Sequence, residues 1–162
     1  MVIWIIGLSG SGKTFFSKKI YEKIKNKNKT ILIDGDEVRK YITYDLKHSL
    51  KDRRKNSLII SNLCKFLETK GFLVICSILS IFKDHQKRNR KLYKNYFQIY
   101  IKSKLDILKK RNNKKIYSKR NVVGKDIKFP EPFRSDLIIE NNHDKSYKKE
   151  LTRIIKKING KI

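Results

Sequence analysis

The chain has no alanine, and its 162 residues include only two cysteines, two prolines, one methionine and one tryptophan. Two cysteines are too few for a disulfide scaffold or a zinc cluster. Both, Cys64 and Cys76, lie in apolar segments and read as small core residues. No apolar run approaches the roughly 20 residues of a membrane span. The five-residue stretches Val2–Ile6 and Phe72–Cys76 are among the longest. The first runs straight into a glycine loop, with no basic leader before it and no small-residue cleavage site after it, so it does not read as a signal peptide. A cytoplasmic protein with no membrane attachment is expected. Acidic residues are scarce too, 15 against 41 basic ones, for a formal net charge of +26. That excess is mostly lysine. Lysine, isoleucine and asparagine, with 32, 24 and 12 copies, have AT-rich codons, whereas the missing alanine has GC-rich ones. Codon bias accounts for this charge without a dedicated nucleic-acid role. The charge runs along the whole chain, and no aromatic-basic RNA motif accompanies it. A positive potential still favours a small polyanionic substrate.

Short buried runs alternate with helical spacings. Strands are expected at Val2–Ile6, Ile31–Ile33, Phe72–Ser77, Tyr96–Ile101 and Asp136–Glu140. Between them, helices are expected from Phe15 to about Lys25, Lys51 to Lys70, Asp84 to Tyr93 and Leu105 to Lys110. A last helix runs from Ser146 to Ile158. On the long helix, Leu58, Ile59, Leu63, Phe66 and Leu67 read as one apolar face. Strands alternating with helices mean an α/β fold: a five-stranded parallel sheet flanked by helices in three layers. One domain covers residues 1–162. Its least regular segment, about 112–133, holds both prolines and reads as a mobile loop, the place for a short lid. His85 and His143 are expected on the surface, and Trp4 in the core.

Gly7-Leu8-Ser9-Gly10-Ser11-Gly12-Lys13-Thr14 matches G-x-x-x-x-G-K-[ST] in full, between an expected strand and an expected helix. Such a loop turns successive backbone N–H groups inward, and the following helix adds its positive end. Lys13 then reaches the β- and γ-phosphates, and the Thr14 hydroxyl ligates Mg²⁺. ATP with magnesium is therefore expected. A phosphate loop alone names no reaction, but the third strand carries no Walker-B carboxylate, and 162 residues leave little room for a motor. Instead Asp34-Gly35-Asp36 ends the second strand, where ligands of parallel sheets gather. One carboxylate there can orient or deprotonate an acceptor hydroxyl while the other serves magnesium-bound water. This pattern fits a small-molecule kinase of the P-loop NTPase type.

At these residues the sequence resembles the adenylylsulfate kinases. Trp4-Ile5-Ile6 followed by the phosphate loop is similar to their W-x-T-G-L-S-G-S-G-K-[ST] opening. Leu32 to Arg39, LIDGDEVR, looks like L-D-G-D-N-[VL]-R, and Asp52-Arg53-x-x-Asn56 like D-R-x-x-N. Lys114 to Lys119 resembles K-G-L-Y-x-K, and Val122 to Leu137 resembles the closing G-[IV]-D…E-x-P…P-D-L. The resemblance implies transfer of the γ-phosphoryl of ATP to the 3′-hydroxyl of adenylylsulfate. It implies catalytic roles for Lys13, Asp34 and Asp36, magnesium at Thr14 and Asp36, and the ATP adenine along Arg111. It places the acceptor nucleotide at Asp34, Arg39, His48, Arg53, Asn56, Ser80 and Lys119. Homodimers are common in the family.

Several positions depart from the family pattern. Glu37 replaces an asparagine, and Ile81 the proline of an I-S-P turn. His48 stands where a stacking phenylalanine aligns, Val122 or Val123 where a second one does, and the lid is shorter by several residues. A pocket that has lost its aromatic walls suits a smaller base. The alternative acceptor is another nucleotide-activated group, such as the cytidine diphosphoramidate of surface-polysaccharide synthesis. Phe129 or Phe133, in the irregular segment, could supply a replacement stacking face.

Overall fold

Every residue of the first strand is buried, and its alternating side chains separate two layers of core. In the computed structural model this strand, β1 (Val2–Ile6), precedes α1 (Lys13–Ile24), β2 (Thr30–Asp34), α2 (Gly35–Tyr41) and α3 (Leu50–Thr69). Then come β3 (Leu73–Ile78), α4 (Lys83–Leu92), β4 (Tyr96–Lys102), α5 (Leu105–Arg111), β5 (Leu137–Glu140) and α6 (Tyr147–Asn159). The structure describes residues 1–26, 29–111, 115–141 and 147–161. His143, Ser146 and the first residues of the lid segment lie outside these.

The strands form one parallel sheet in the order β2-β3-β1-β4-β5. Ile3 and Ile5 face α1 and α6, among Phe16, Ile20, Ile154 and Ile158. Val2, Trp4 and Ile6 face the other way, towards Ile60 and Cys64 of α3. Successive side chains of a strand alternate between faces, so a strand covered on both sides is apolar throughout. This is the expected α/β fold with five parallel strands.

Three local expectations are corrected. The sequence pattern places no helix between Asp34 and Lys51, yet α2 starts directly after β2. The Asp34 side chain accepts a hydrogen bond from the Asp36 N–H and so caps the helix. The face that the large residues of α3 suggest is only partly buried, with Leu63 and Leu67 packed at the edge of the core. Phe66 is 58% exposed, and the buried set is Asn56, Ser57, Ile60, Ser61 and Cys64. Small side chains let α3 approach β3 and leave polar groups for α4 to satisfy. His85 of α4, expected on the surface, is buried with its Nδ1 3.1 Å from Ser57 Oγ. Tyr93 donates to the Ser61 carbonyl in the same seam.

Burial pulls the His85 imidazole below its ordinary pKa, outweighing the opposing charge of Asp84. A histidine depressed in the folded chain binds its proton more readily when unfolded. Stability from this group is thus present above the unfolded pKa, about 6.5, and is lost as pH falls below it. The urea midpoint should drop between pH 7 and pH 5, and by less in a His85→Asn variant. An equal drop in both would remove His85 from the account.

The register sets the strand ends level: Ile6 lies beside Ile78, and Asp34 beside Ser77. The carboxyl ends of β1, β2 and β3 therefore form one rim, where the phosphate loop begins.

Candidate active site

The loop after β1 curls under steric constraint. A Cβ on Gly7 would sit 2.5 Å from the Ile101 carbonyl oxygen, and Gly12 has a φ of 98° that side chains disfavour. Helix α1 begins directly after Gly12, with no side chain capping its amino end and no acidic residue in its first turn. Its first N–H groups are thus available to an anion, and the helix dipole reinforces them. Lys13 Nζ donates to the Leu8 carbonyl at 2.8 Å, which holds the ammonium over the loop.

Asp34 joins this loop to the sheet. Its Oδ2 accepts from Thr14 Oγ1 and from Ser77 Oγ, each at 2.9 Å, while Oδ1 caps α2. Thr14 is thus hydrogen-bonded to Asp34, whereas the resemblance groups it with Asp36 around magnesium. Asp36 is exposed, in the first turn of α2, and its charge acts on Arg39, His48 and Arg53. The two carboxylates thus have different surroundings. Asp34 is tied to the phosphate loop, and Asp36 faces a basic wall.

That wall is built by two arginines on different helices. Arg39 donates to the carbonyls of Leu46 (3.0 Å) and Lys47 (2.6 Å). Arg53 donates to those of His48 (3.0 Å) and Asn121 (3.1 Å). Together they fix the loop between α2 and α3 and reach the lid segment. Burial lowers the pKa of both guanidinium groups. Arg39 lowers Arg53 further, and Asp36 counteracts both effects. Positive charge concentrated in a half-buried wall calls for an anion, and planar guanidinium forks suit phosphate or sulfate oxygens. Burial, with Arg53 and Arg39, also depresses the His48 pKa, which favours its neutral form. Asn56 is held by Thr43, whose hydroxyl donates to Asn56 Oδ1 at 2.5 Å.

The described part of the lid lies across this space. Tyr117 donates its O–H to the Ser9 carbonyl at 2.8 Å, and Val122 and Val123 pack with Leu8 and Leu108. Beneath is a cavity of about 390 Å³, large enough for nucleotide-sized ligands. Every expected acceptor-side residue except Ser80 lines it, as do Lys13, Thr14 and Arg111. Gly7, Leu8 and Ser11 form the back of the loop.

Ser80 is a correction. It is 1% exposed and hydrogen-bonded by Gln86 Nε2, because the chain turns inward after β3. Leu79 takes its place at the wall. The suggested stacking residues are corrected as well. Phe129 packs on Tyr100 (ring centroids 6.0 Å apart), Phe133 lies under Lys87 and Arg134, and neither borders the cavity. Sequence reasoning missed Ser77 as a site residue. Its signal was a hydroxyl near the end of an otherwise apolar strand, level with Asp34.

A backbone cradle for phosphates at one end and a paired-arginine wall at the other let two anionic ligands meet over Asp34 and Asp36. This is the arrangement of a nucleotide-binding P-loop kinase. The adenylylsulphate kinase family matches residues 1–140, and the chain belongs to that family. It is 37% identical to a cytidine diphosphoramidate kinase of Campylobacter jejuni, over 97% of this chain and 95% of the relative. It is 30% identical to an adenylyl-sulfate kinase of Clostridium kluyveri, over 89% of this chain and 76% of that one. Among solved structures, a Mycobacterium tuberculosis APS kinase in complex with AMPPNP and APS superposes with a TM-score of 0.87. That pair is 25% identical and covers 98% of this chain and 96% of the other.

Proposed function

We propose that the chain transfers the γ-phosphoryl group of ATP to the 3′-hydroxyl of a nucleotide-activated small anion. We further propose that it uses cytidine diphosphoramidate in preference to adenylylsulfate. The observation that carries the preference is that no phenylalanine, tyrosine or tryptophan among the described residues borders the acceptor end of the cavity. His48 stands there, and Val122 follows Asn121, whose carbonyl Arg53 holds. The tyrosine and phenylalanine that do border the cavity, Tyr117 and Phe15, belong to the phosphate-loop end. A purine gains from a wide π face on its plane. A pyrimidine needs less, and a neutral imidazole can offer it both a donor and an acceptor. The near-complete mutual coverage with the Campylobacter relative supports the same reading. Adenylylsulfate remains the second reading, supported by the clostridial relative.

In this scheme the loop N–H groups and Lys13 hold the phosphates of ATP, and Arg111 lies at the nucleoside end. Arg39, Arg53, Asn56 and Lys119 hold the acceptor's anionic groups. Magnesium favours oxygen ligands, with one or two carboxylates. Thr14 Oγ1, Asp34 Oδ2 and Ser77 Oγ present such oxygens together, so these residues would hold it. When bound, it neutralises charge on the β- and γ-phosphates. Asp36 is then the carboxylate placed to orient the acceptor hydroxyl and take its proton. The buried, unbridged Cys64 and Cys76 suit a cytoplasmic enzyme.

The test is kcat/KM for both acceptors with MgATP, in wild type and in His48→Phe. Wild type should favour cytidine diphosphoramidate. The phenylalanine should shift the ratio towards adenylylsulfate by roughly two- to thirteenfold, the equivalent of ~0.5–1.5 kcal/mol for an aromatic pair. A wild-type preference for adenylylsulfate would reverse the acceptor assignment.

A further inference from the structure

The residue after β5 reaches back across the sheet to the phosphate loop. Asn141 Nδ2 donates to the Ser11 carbonyl at 2.8 Å, across 130 positions of sequence. The residue is buried, and its backbone is held on both sides. Its N–H donates to the Lys102 carbonyl (2.8 Å), and its own carbonyl accepts from Ser103 Oγ (2.8 Å). The donor is thus fixed to the end of β4 and is not carried on a free loop. Contact with the loop is close, since a Cβ on Gly12 would lie 2.7 Å from Asn141 Nδ2. Asn141 does not line the cavity, so it acts from behind the loop.

We propose that Asn141 is a positioning residue that sets the peptide between Ser11 and Gly12 for phosphate binding. The C=O and N–H of a trans peptide point in opposite directions. A carbonyl drawn back to Asn141 therefore turns the Gly12 N–H forward, to the cavity side. Two other loop carbonyls are held in the same manner: Leu8 by Lys13 Nζ and by the Ser11 N–H, and Ser9 by the Tyr117 hydroxyl. With the Leu8, Ser9 and Ser11 carbonyl oxygens occupied, the loop presents more donors than acceptors to an anion. Gly12, at φ 98°, has the conformational freedom to take the opposite peptide orientation. The loop therefore needs an outside contact to choose between the two. Preorganised donors are effective because they need no reorganisation when charge arrives.

The inference rests on the kinase reading of the loop, and its test separates the two. ADP and MgATP-analogue binding are measured by calorimetry on wild type, Asn141→Asp and Asn141→Leu, with melting temperatures alongside. Both substitutions keep the approximate size of asparagine. Aspartate places an oxygen against the Ser11 carbonyl, and leucine removes the donor. Nucleotide affinity should fall at least tenfold in Asn141→Asp and several-fold in Asn141→Leu. In turnover, KM for ATP should rise while KM for the acceptor stays within about twofold, a split that general loosening of the fold does not produce. Wild-type binding with unchanged affinity in either folded variant overturns the role of Asn141. Equal losses for ATP and acceptor overturn it as well and leave a structural role only. Absence of nucleotide binding by wild type overturns the kinase reading itself.

Discussion

Replacing Lys13 with alanine is expected to lower kcat by on the order of a hundred- to a thousandfold, as removing one preorganised donor to a transition state does. The ammonium is positioned by the Leu8 carbonyl over the loop that α1 leaves uncapped. Negative charge on the transferring phosphoryl group spreads over its oxygens during the reaction, so the stabilisation is electrostatic and local. Arginine should not restore it, because a planar fork does not replace a point charge at the end of a flexible stem. The fold gives little reason for collapse, since Lys13 is the first residue of α1 and outside the apolar clusters. Steady-state rates and melting temperature measured together check this. A rate within tenfold of wild type would remove Lys13 from the chemistry. A protein that used its +26 charge on nucleic acid would behave in the opposite way. It would tolerate Lys13→Ala and lose polynucleotide binding steeply with salt.

The second large effect is expected at Asp34, where charge and structure can be separated. Asparagine keeps an oxygen that can cap α2 and fills the same volume. The Thr14 and Ser77 hydroxyls can rotate to accept from its NH₂ group in place of donating to Oδ2. What is lost is the negative charge. Asp34→Asn should therefore melt close to wild type and turn over at least a hundredfold more slowly, comparable to the loss of one oxyanion-hole donor. Asp34→Ala should lose activity similarly and in addition cost about 1 kcal/mol of stability through the missing cap. An asparagine variant with nearly full activity would show that the oxygen cluster is structural. Varying magnesium in the asparagine variant gives a further readout: its requirement should rise to higher concentration.

Much of this site was legible in the sequence because its chemistry is local. The phosphate loop is eight contiguous residues between a strand and a helix, and Asp34 and Asp36 end the next strand. Both patterns survive in the structure, since a parallel sheet collects strand ends at one rim. The buried strands were equally clear, because continuous apolar runs such as Val2–Ile6 admit few other readings. Tertiary contacts were not legible. The buried face of α3 is made of Ser57, Ile60, Ser61 and Cys64, chosen by close approach to β3 and α4 and not by side-chain size. His85 reads as polar and therefore exposed until Ser57 supplies its partner. Ser80 follows a strand tip, as a ligand contact would, yet the turn points its hydroxyl at Gln86. The pairing of Thr14 with Asp34, not Asp36, depends on where α2 begins, and Asp-Gly alone does not distinguish a turn from a helix cap. Asn141 is 130 residues from the carbonyl it holds, and no local pattern announces such a contact.

The most direct test of the account is label transfer from [γ-³²P]ATP, with acceptors offered as cytidine diphosphoramidate, adenylylsulfate and the 3′-deoxy form of each. The account predicts labelled product from the cytidine compound first, slower labelling of adenylylsulfate, and none from either 3′-deoxy acceptor. Labelling of a 3′-deoxy acceptor, or ATP hydrolysis with no labelled nucleotide from any of the four, would contradict it.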